Sequence, residues 1–179
     1  MRKVICAVCL LLLAALSASA QEEVPKAEVF GGYSWAGGDF HGWNASVTGN
    51  VNRWFGLTAD FDGHYSDGEP GVVRERQRAH SILVGPRFSL RRKRATPFAY
   101  ALFGGIRFRS EVSAPAFNFF ASDADTGFNM ALGGGLDVRL SRRVAVRAFQ
   151  LDYMRPNFFG EAHDRGRLAF GLVLRLGSK

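Results

Sequence analysis

Past residue 9 the sequence has no cysteine: Cys6 and Cys9 are the only two in 179 residues. Beyond those positions there is no disulfide to form, no zinc–thiolate site to build and no cysteine nucleophile. Long apolar runs are equally scarce. The one present, from Val4 to Leu16, is shorter than the roughly 20 residues a membrane-spanning helix needs. There is no proline-rich linker, no low-complexity tract and no long helical pattern of apolar residues, so a helical architecture has no signal behind it.

What the first residues do contain is an export address. Met1-Arg2-Lys3 is basic, the apolar run follows, and Ala18-Ser19-Ala20 closes it with small residues. That order marks residues 1–20 as a secretory signal peptide cleaved after Ala20, leaving residues 21–179 as a single domain. Both cysteines leave with the leader, and export without cysteine fits the bacterial envelope. The 23 basic and 16 acidic residues give a net charge of +7, and losing Arg2 and Lys3 lowers it to +5. An exported chain meets no nucleic acid. The surplus is therefore a solvated basic surface or a contact with an anionic one, for which lipopolysaccharide qualifies.

The mature sequence is filled by a two-residue alternation that recurs eight times, over residues 27–36, 43–51, 55–65, 77–90, 97–111, 126–140, 144–154 and 165–176. A period of two means strands with two unlike faces. The connections alternate in length. Those around Asn52-Arg53 and over residues 91–96 and 141–143 are short, and those over 37–42, 66–76, 112–125 and 155–164 are longer and rich in turn residues. Short turns at one end and long loops at the other describe an up-and-down meander, the pattern of a transmembrane barrel.

Sorting the segments by parity separates a bulky apolar face from a polar and small one. The bulky face carries Trp35, Trp43, Phe61, Ile82, Phe128 and Leu151, the row Leu168, Phe170, Leu172, Leu174 and Leu176, and in the fifth segment Phe98, Tyr100, Leu102, Ile106 and Phe108. An eight-stranded interior is only just wide enough for side chains to fill. So many large rings do not fit inside it, and the polar face does. The apolar face then looks outward into lipid. Arg147 alone falls on that face within a span, and it either snorkels to the interface or sits beyond a bulge that shifts the register. Trp35, Trp43 and Tyr65 flank the long loops and Trp54 a short turn, as interfacial girdles do.

The stretches "VFGGYSW", "NRWFGLTADFDGHY", "TPFAYALFGGIRF", "AFQLDYM" and "GLVLRLG" resemble the eight-stranded outer-membrane β-barrel family of Gram-negative bacteria, the OmpA-like and OmpX-like type. The resemblance covers about Ala27 to Gly177. It implies an all-β, eight-stranded antiparallel transmembrane barrel in the outer membrane, a monomer in contact with outer-membrane lipid and lipopolysaccharide, inserted by the outer-membrane assembly machinery. Two departures bear on function. Many members end on an aromatic residue that this machinery recognises, whereas here Leu176 is the last apolar residue of "LRLGSK". No peptidoglycan-binding domain is expected after the barrel, so the cell-wall tethering of two-domain members is not an expected role.

Parity assigns a set of charges to the lumen: the acids Glu28, Asp60, Asp62, Glu111, Asp137 and Asp152, and the arginines Arg87, Arg107, Arg109, Arg139, Arg167 and Arg175. Buried charges must be paired or wet, so this row is expected to be an ion-pair network that plugs the barrel; the alternative is a narrow ion path. Arg74, Arg76 and Arg78, at the long-loop end of the fourth segment, are candidates for lipopolysaccharide phosphates. No catalytic, cofactor-binding or metal site is expected. Some barrels of this size modify lipid A with a His and a Ser near the outer rim, and His41, His64, Ser66, Asp67, His80 and Ser81 are the residues such chemistry would draw on. His80 and Ser81 point to opposite faces of a regular strand, which argues against a dyad. The expected function is a non-enzymatic barrel with a structural or surface-interaction role, with a small porin as first alternative and an outer-rim lipid A enzyme as second.

Overall fold

Strands with one apolar face can stay in a bilayer only when every backbone group is paired, which requires closure. The computed structural model describes residues 24–67, 74–114, 119–158, 161–162 and 164–177; the leader expected at residues 1–20 lies outside them. Its strands are β1 (Ala27–Trp35), β2 (His41–Asn50), β3 (Phe55–Asp67), β4 (Arg74–Ser89), β5 (Ala95–Ala114), β6 (Phe119–Arg139), β7 (Val144–Met154), β8 (Asn157–Phe158), β9 (Glu161–Ala162) and β10 (Arg165–Leu176). The barrel closes in the order β1-β10-β7-β6-β5-β4-β3-β2, and β8 and β9 form a separate small hairpin. Every neighbouring pair is antiparallel, and the first and last strands close the wall from Ala27↔Leu176 to Trp35↔Leu168.

The outward row is apolar all round. Leu57, Ile82, Phe88, Phe128, Leu151 and Leu172 each expose more than half of their surface to the surroundings, which is tolerable only where the surroundings are hydrocarbon. From Phe55↔Phe88 to Tyr65↔Arg78 the β3–β4 ladder climbs roughly 25 Å for strands tilted at about 40°, the height of the lipid-facing band. β5 and β6 continue past that level. The stretch 112–125, expected as a loop, is largely a continuation of their ladder, from Val112↔Ala121 to Ala114↔Phe119.

Two assignments of side differ from the parity argument. In β5, Phe98, Tyr100, Leu102, Ile106 and Phe108 face inward and are buried, while Phe103 faces lipid. Bulk was a poor guide here because both faces of β5 are apolar. Register decides instead: Val84 pairs with Phe103 and Arg87 with Tyr100, so the outward residues of β4 fix the outward residues of β5. Room for the rings comes from β6. A Cβ on Gly133 would run into the Asp152 carboxylate, and one on Gly135 would lie 2.9 Å from the Phe98 ring. The second difference is Arg147, which is 1% exposed and points into the lumen. Leu136 pairs with Phe149 but Asp137 with Arg147, so β7 carries one extra residue, Ala148. This bulge turns Arg147 inward while keeping Phe149 and Leu151 in lipid.

Because no cysteine lies past Cys9, single-cysteine labels test the β5 register directly. A nitroxide at Phe103→Cys should show the oxygen accessibility of lipid, and one at Leu102→Cys should be shielded. The opposite pattern would restore the parity reading of β5.

Candidate functional site

The lumen is built in layers, each set by which inward residues the register brings to one height. At the short-turn end Glu28 accepts from Arg91 at 2.8 and 3.0 Å, with Arg175 3.8 Å away and Asn50 accepting from Arg91 at 2.9 Å. Above it, Asp137 takes Arg87 at 2.8 Å and Arg147 at 2.8 Å. These guanidinium groups lie against aromatic faces, Arg87 4.0 Å from the centre of the Phe98 ring and Arg147 4.1 Å from that of Phe30, where cation–π attraction offsets part of the lost hydration.

The third layer is centred on Arg167, which reaches Asp60 at 3.0 Å, Asp62 at 2.7 Å and Asp152 at 2.7 Å. Gln150 joins the two layers. It accepts from Arg147 at 2.5 Å and donates to Asp152 at 2.9 Å. Tyr100 donates to Asp152 at 2.5 Å, and Asn44 donates to Asp60 at 2.9 Å. Summed over the layers, the acids Glu28, Asp60, Asp62, Asp137 and Asp152 are matched by Arg87, Arg91, Arg147, Arg167 and Arg175. The lower layers carry an excess of arginine and the upper one an excess of carboxylate. Beside this ladder lies a buried apolar cluster of Leu83, Phe98, Tyr100, Leu102, Ala131 and Met154.

At the long-loop end His64 lies 2.9 Å from the Ser34 hydroxyl and 3.2 Å from Asp62. These are the residue types of an acyl-transfer relay, set in the lumen rather than on the outer rim. Ser34 is fully buried, Asp62 is held by Arg167, and the adjacent cavity holds only about 30 Å³, walled largely by Ala36, Phe40, Ile106, Phe108 and Met154. Ser34 is not among the residues that line this cavity. The other rim candidates are dispersed: His41 contacts Tyr33 on the outer wall, Asp67 is held by Arg76, and His80 faces outward while Ser81 faces inward.

Of the charges the sequence assigns to the lumen, Glu28, Asp60, Asp62, Arg87, Asp137, Asp152, Arg167 and Arg175 lie there, and Arg139 stands at its short-turn mouth near Arg175. Arg107, Arg109 and Glu111 do not. They share the outward parity of Phe103, and Arg107 and Arg109 are exposed, because the β5 register reverses the expected sides. Parity also missed Arg91, Arg147 and Tyr100. The bulge hides Arg147, the double apolar face of β5 hides Tyr100, and nothing in the turn "RRKR" signals that Arg91 folds back under the barrel.

On the outer wall Arg78 stands directly opposite Arg109, and His80 opposite Arg107. These four line a depression of about 260 Å³. Among the described residues no carboxylate forms an ion pair with any of them. Arg76, one step higher, is bound to Asp67 at 2.9 Å; the side chain of Arg74 lies outside the described residues.

Comparison with known proteins agrees with this architecture. The sequence matches the outer membrane protein β-barrel domain over residues 6–175. No curated relative matches it. Among solved structures, Ail, the attachment invasion locus protein of Yersinia pestis, superposes with a TM-score of 0.61 at 18% identity, covering 87% of this chain and 100% of that one. A major outer membrane protein from Thermus thermophilus gives 0.66 at 12% identity over 85% and 99%. Neisserial surface protein A gives 0.53 at 12% identity over 84% and 96%. At these identities the likeness is one of fold.

The layered geometry makes the cost of losing one partner unequal. Arg167→Leu leaves three carboxylates together without a cation and should lower unfolding stability by about 3–5 kcal/mol. Arg76→Leu breaks only an exposed pair and should cost at most about 1 kcal/mol. Urea titration of the folded protein in micelles reads both, and equal small losses would contradict the burial described for Arg167.

Proposed function

The chain belongs to the outer membrane protein β-barrel family, as an integral protein of the bacterial outer membrane, and from that premise we propose that it works as a sealed, non-enzymatic monomer whose outer wall contacts lipopolysaccharide. The observation that supports the sealing is the burial of the lumen side chains. Arg87, Arg147 and Arg167 are at most 2% exposed, and Leu83 and Leu102 are fully buried beside them. An ion crossing the barrel would have to displace several charge-assisted bonds at once. The complete burial of Ser34 and the hold of Arg167 on Asp62 support the non-enzymatic reading, and assembly by the outer-membrane machinery is part of it.

The depression formed by Arg78, His80, Arg107 and Arg109 supports the lipid contact. Like charges directly opposite on neighbouring strands repel, and a phosphate between them turns that repulsion into attraction. Their rows lie at the upper edge of the lipid-facing band, beside Tyr65 and Trp43. This moves the contact from the expected Arg74, Arg76 and Arg78 to a patch shared by β4 and β5. Arg76 takes a smaller part, being already paired.

Two measurements test the reading. In planar bilayers the folded protein should give no reproducible single-channel steps even at high load; regular steps would make it a porin. Purified lipopolysaccharide should raise the melting temperature of the folded protein, and Arg78→Gln/Arg107→Gln/Arg109→Gln should remove most of that rise. An undiminished rise in the triple variant would exclude this patch as the contact.

A further inference from the structure

The outer loops mix charges of both signs, with Asp39, Asp67, Glu75, Glu111, Asp123 and Asp164 among their arginines. The short-turn end does not. The turns over residues 51–54, 90–94 and 140–143 contain no acid, and Lys26, Arg53, Lys93, Arg94, Arg142 and Arg143 are all exposed there. Among the described residues none of the six forms an ion pair. Among the described residues the carboxylates nearest this end, Glu28 and Asp137, point inward and are already held by arginines. The positive surplus of the described residues is thus gathered on one rim.

Three features say what this rim meets. The cations are spread around the whole circumference, because the β2–β3, β4–β5 and β6–β7 turns and the start of β1 occupy successive sectors of the barrel. A single folded partner would approach one side; an annulus of lipid surrounds all of them. The turns are also short and internally tied. Asn52 accepts from the backbone N–H groups of Trp54 and Phe55 at 2.9 and 2.8 Å, and Ser141 accepts from that of Val144 at 3.0 Å. Their side chains therefore stay at the height of the rim. Finally, each cationic turn is bordered by an outward apolar residue, Trp54 (58% exposed) beside Arg53, Leu90 (36% exposed) before Arg91 and Leu140 (66% exposed) two residues before Arg142, and an indole such as that of Trp54 holds its turn at the bilayer interface.

We propose that the short-turn rim is a binding ring for anionic phospholipid headgroups, with Lys26, Arg53, Lys93, Arg94, Arg142 and Arg143 contacting their phosphates. Basic residues held at a membrane surface draw anionic lipid to themselves. The ring would enrich such lipid around the barrel foot and fix its depth from that side, independently of any contact at the outer wall.

Trp54 reports on this end alone once the other two tryptophans are removed. The protein carrying Trp35→Phe/Trp43→Phe is folded into phosphatidylcholine vesicles containing equal fractions of brominated phosphatidylglycerol or brominated phosphatidylcholine, and Trp54 quenching is compared. Quenching by the anionic lipid should reflect a local enrichment of about two-fold or more, falling toward equality at about 1 M salt. Arg53→Gln/Lys93→Gln/Arg94→Gln/Arg142→Gln should remove most of the difference while keeping the heat-modifiable gel mobility of a folded barrel. If the quadruple variant does not fold, Arg53→Gln alone must still reduce it. Equal quenching by both lipids, or an excess that the substitutions leave undiminished, overturns the proposal. So does co-sedimentation with isolated cell-wall sacculi that the variant loses, without any lipid preference.

Discussion

Arg167 has nowhere to place its charge except among Asp60, Asp62 and Asp152. In an eight-stranded barrel the lumen is too narrow to hydrate a guanidinium freely, and the wall beyond it is lipid. Each further charge in the lumen follows from this constraint. Three carboxylates around one cation leave an anionic excess, and the layer below supplies the opposite sign through Arg87 and Arg147 on Asp137. Gln150 passes hydrogen bonds between them. Register is thereby specified from the inside, because a one-residue slip of any strand would carry its lumen charges into hydrocarbon.

The apolar side chains of the lumen belong to the same solution. Phe30 and Phe98 form faces for Arg147 and Arg87, and the inward run of β5 fills the space the ladder leaves. This is possible because β6 presents Gly133 and Gly135 opposite Tyr100 and Phe98. Paired charges and buried rings thus share the lumen.

Strand identity was legible in the sequence wherever one face alone was bulky. The row from Leu168 to Leu176 places β10 within its true bounds, and β7 is equally clear from Val144 to Met154. Side was legible only where the two faces differed. β5 is apolar on both, so its orientation depended on pairing with β4, which no local pattern contains. The extra residue in β7 left the composition of that strand unchanged while moving Arg147 across the wall. Most of the lumen acids were found because an acid facing lipid is so unfavourable. Arg91 was missed because a turn arginine has many places to go, and only the folded chain shows that Glu28 lies within its reach.

The two ends of the barrel divide the surface chemistry, with mixed charge above and a ring of cations below, while the interior is balanced. The central claim is that the interior is dry and paired. Nitrogen-15 NMR of the arginine side chains in lipid nanodiscs tests it most directly. The Nε–H groups of Arg147 and Arg167, each donated to a buried carboxylate at 2.8 and 2.7 Å, should give separate signals that exchange slowly with water at neutral pH. Exchange as fast as that of the exposed Arg53 would show a hydrated, unsealed lumen and contradict the claim.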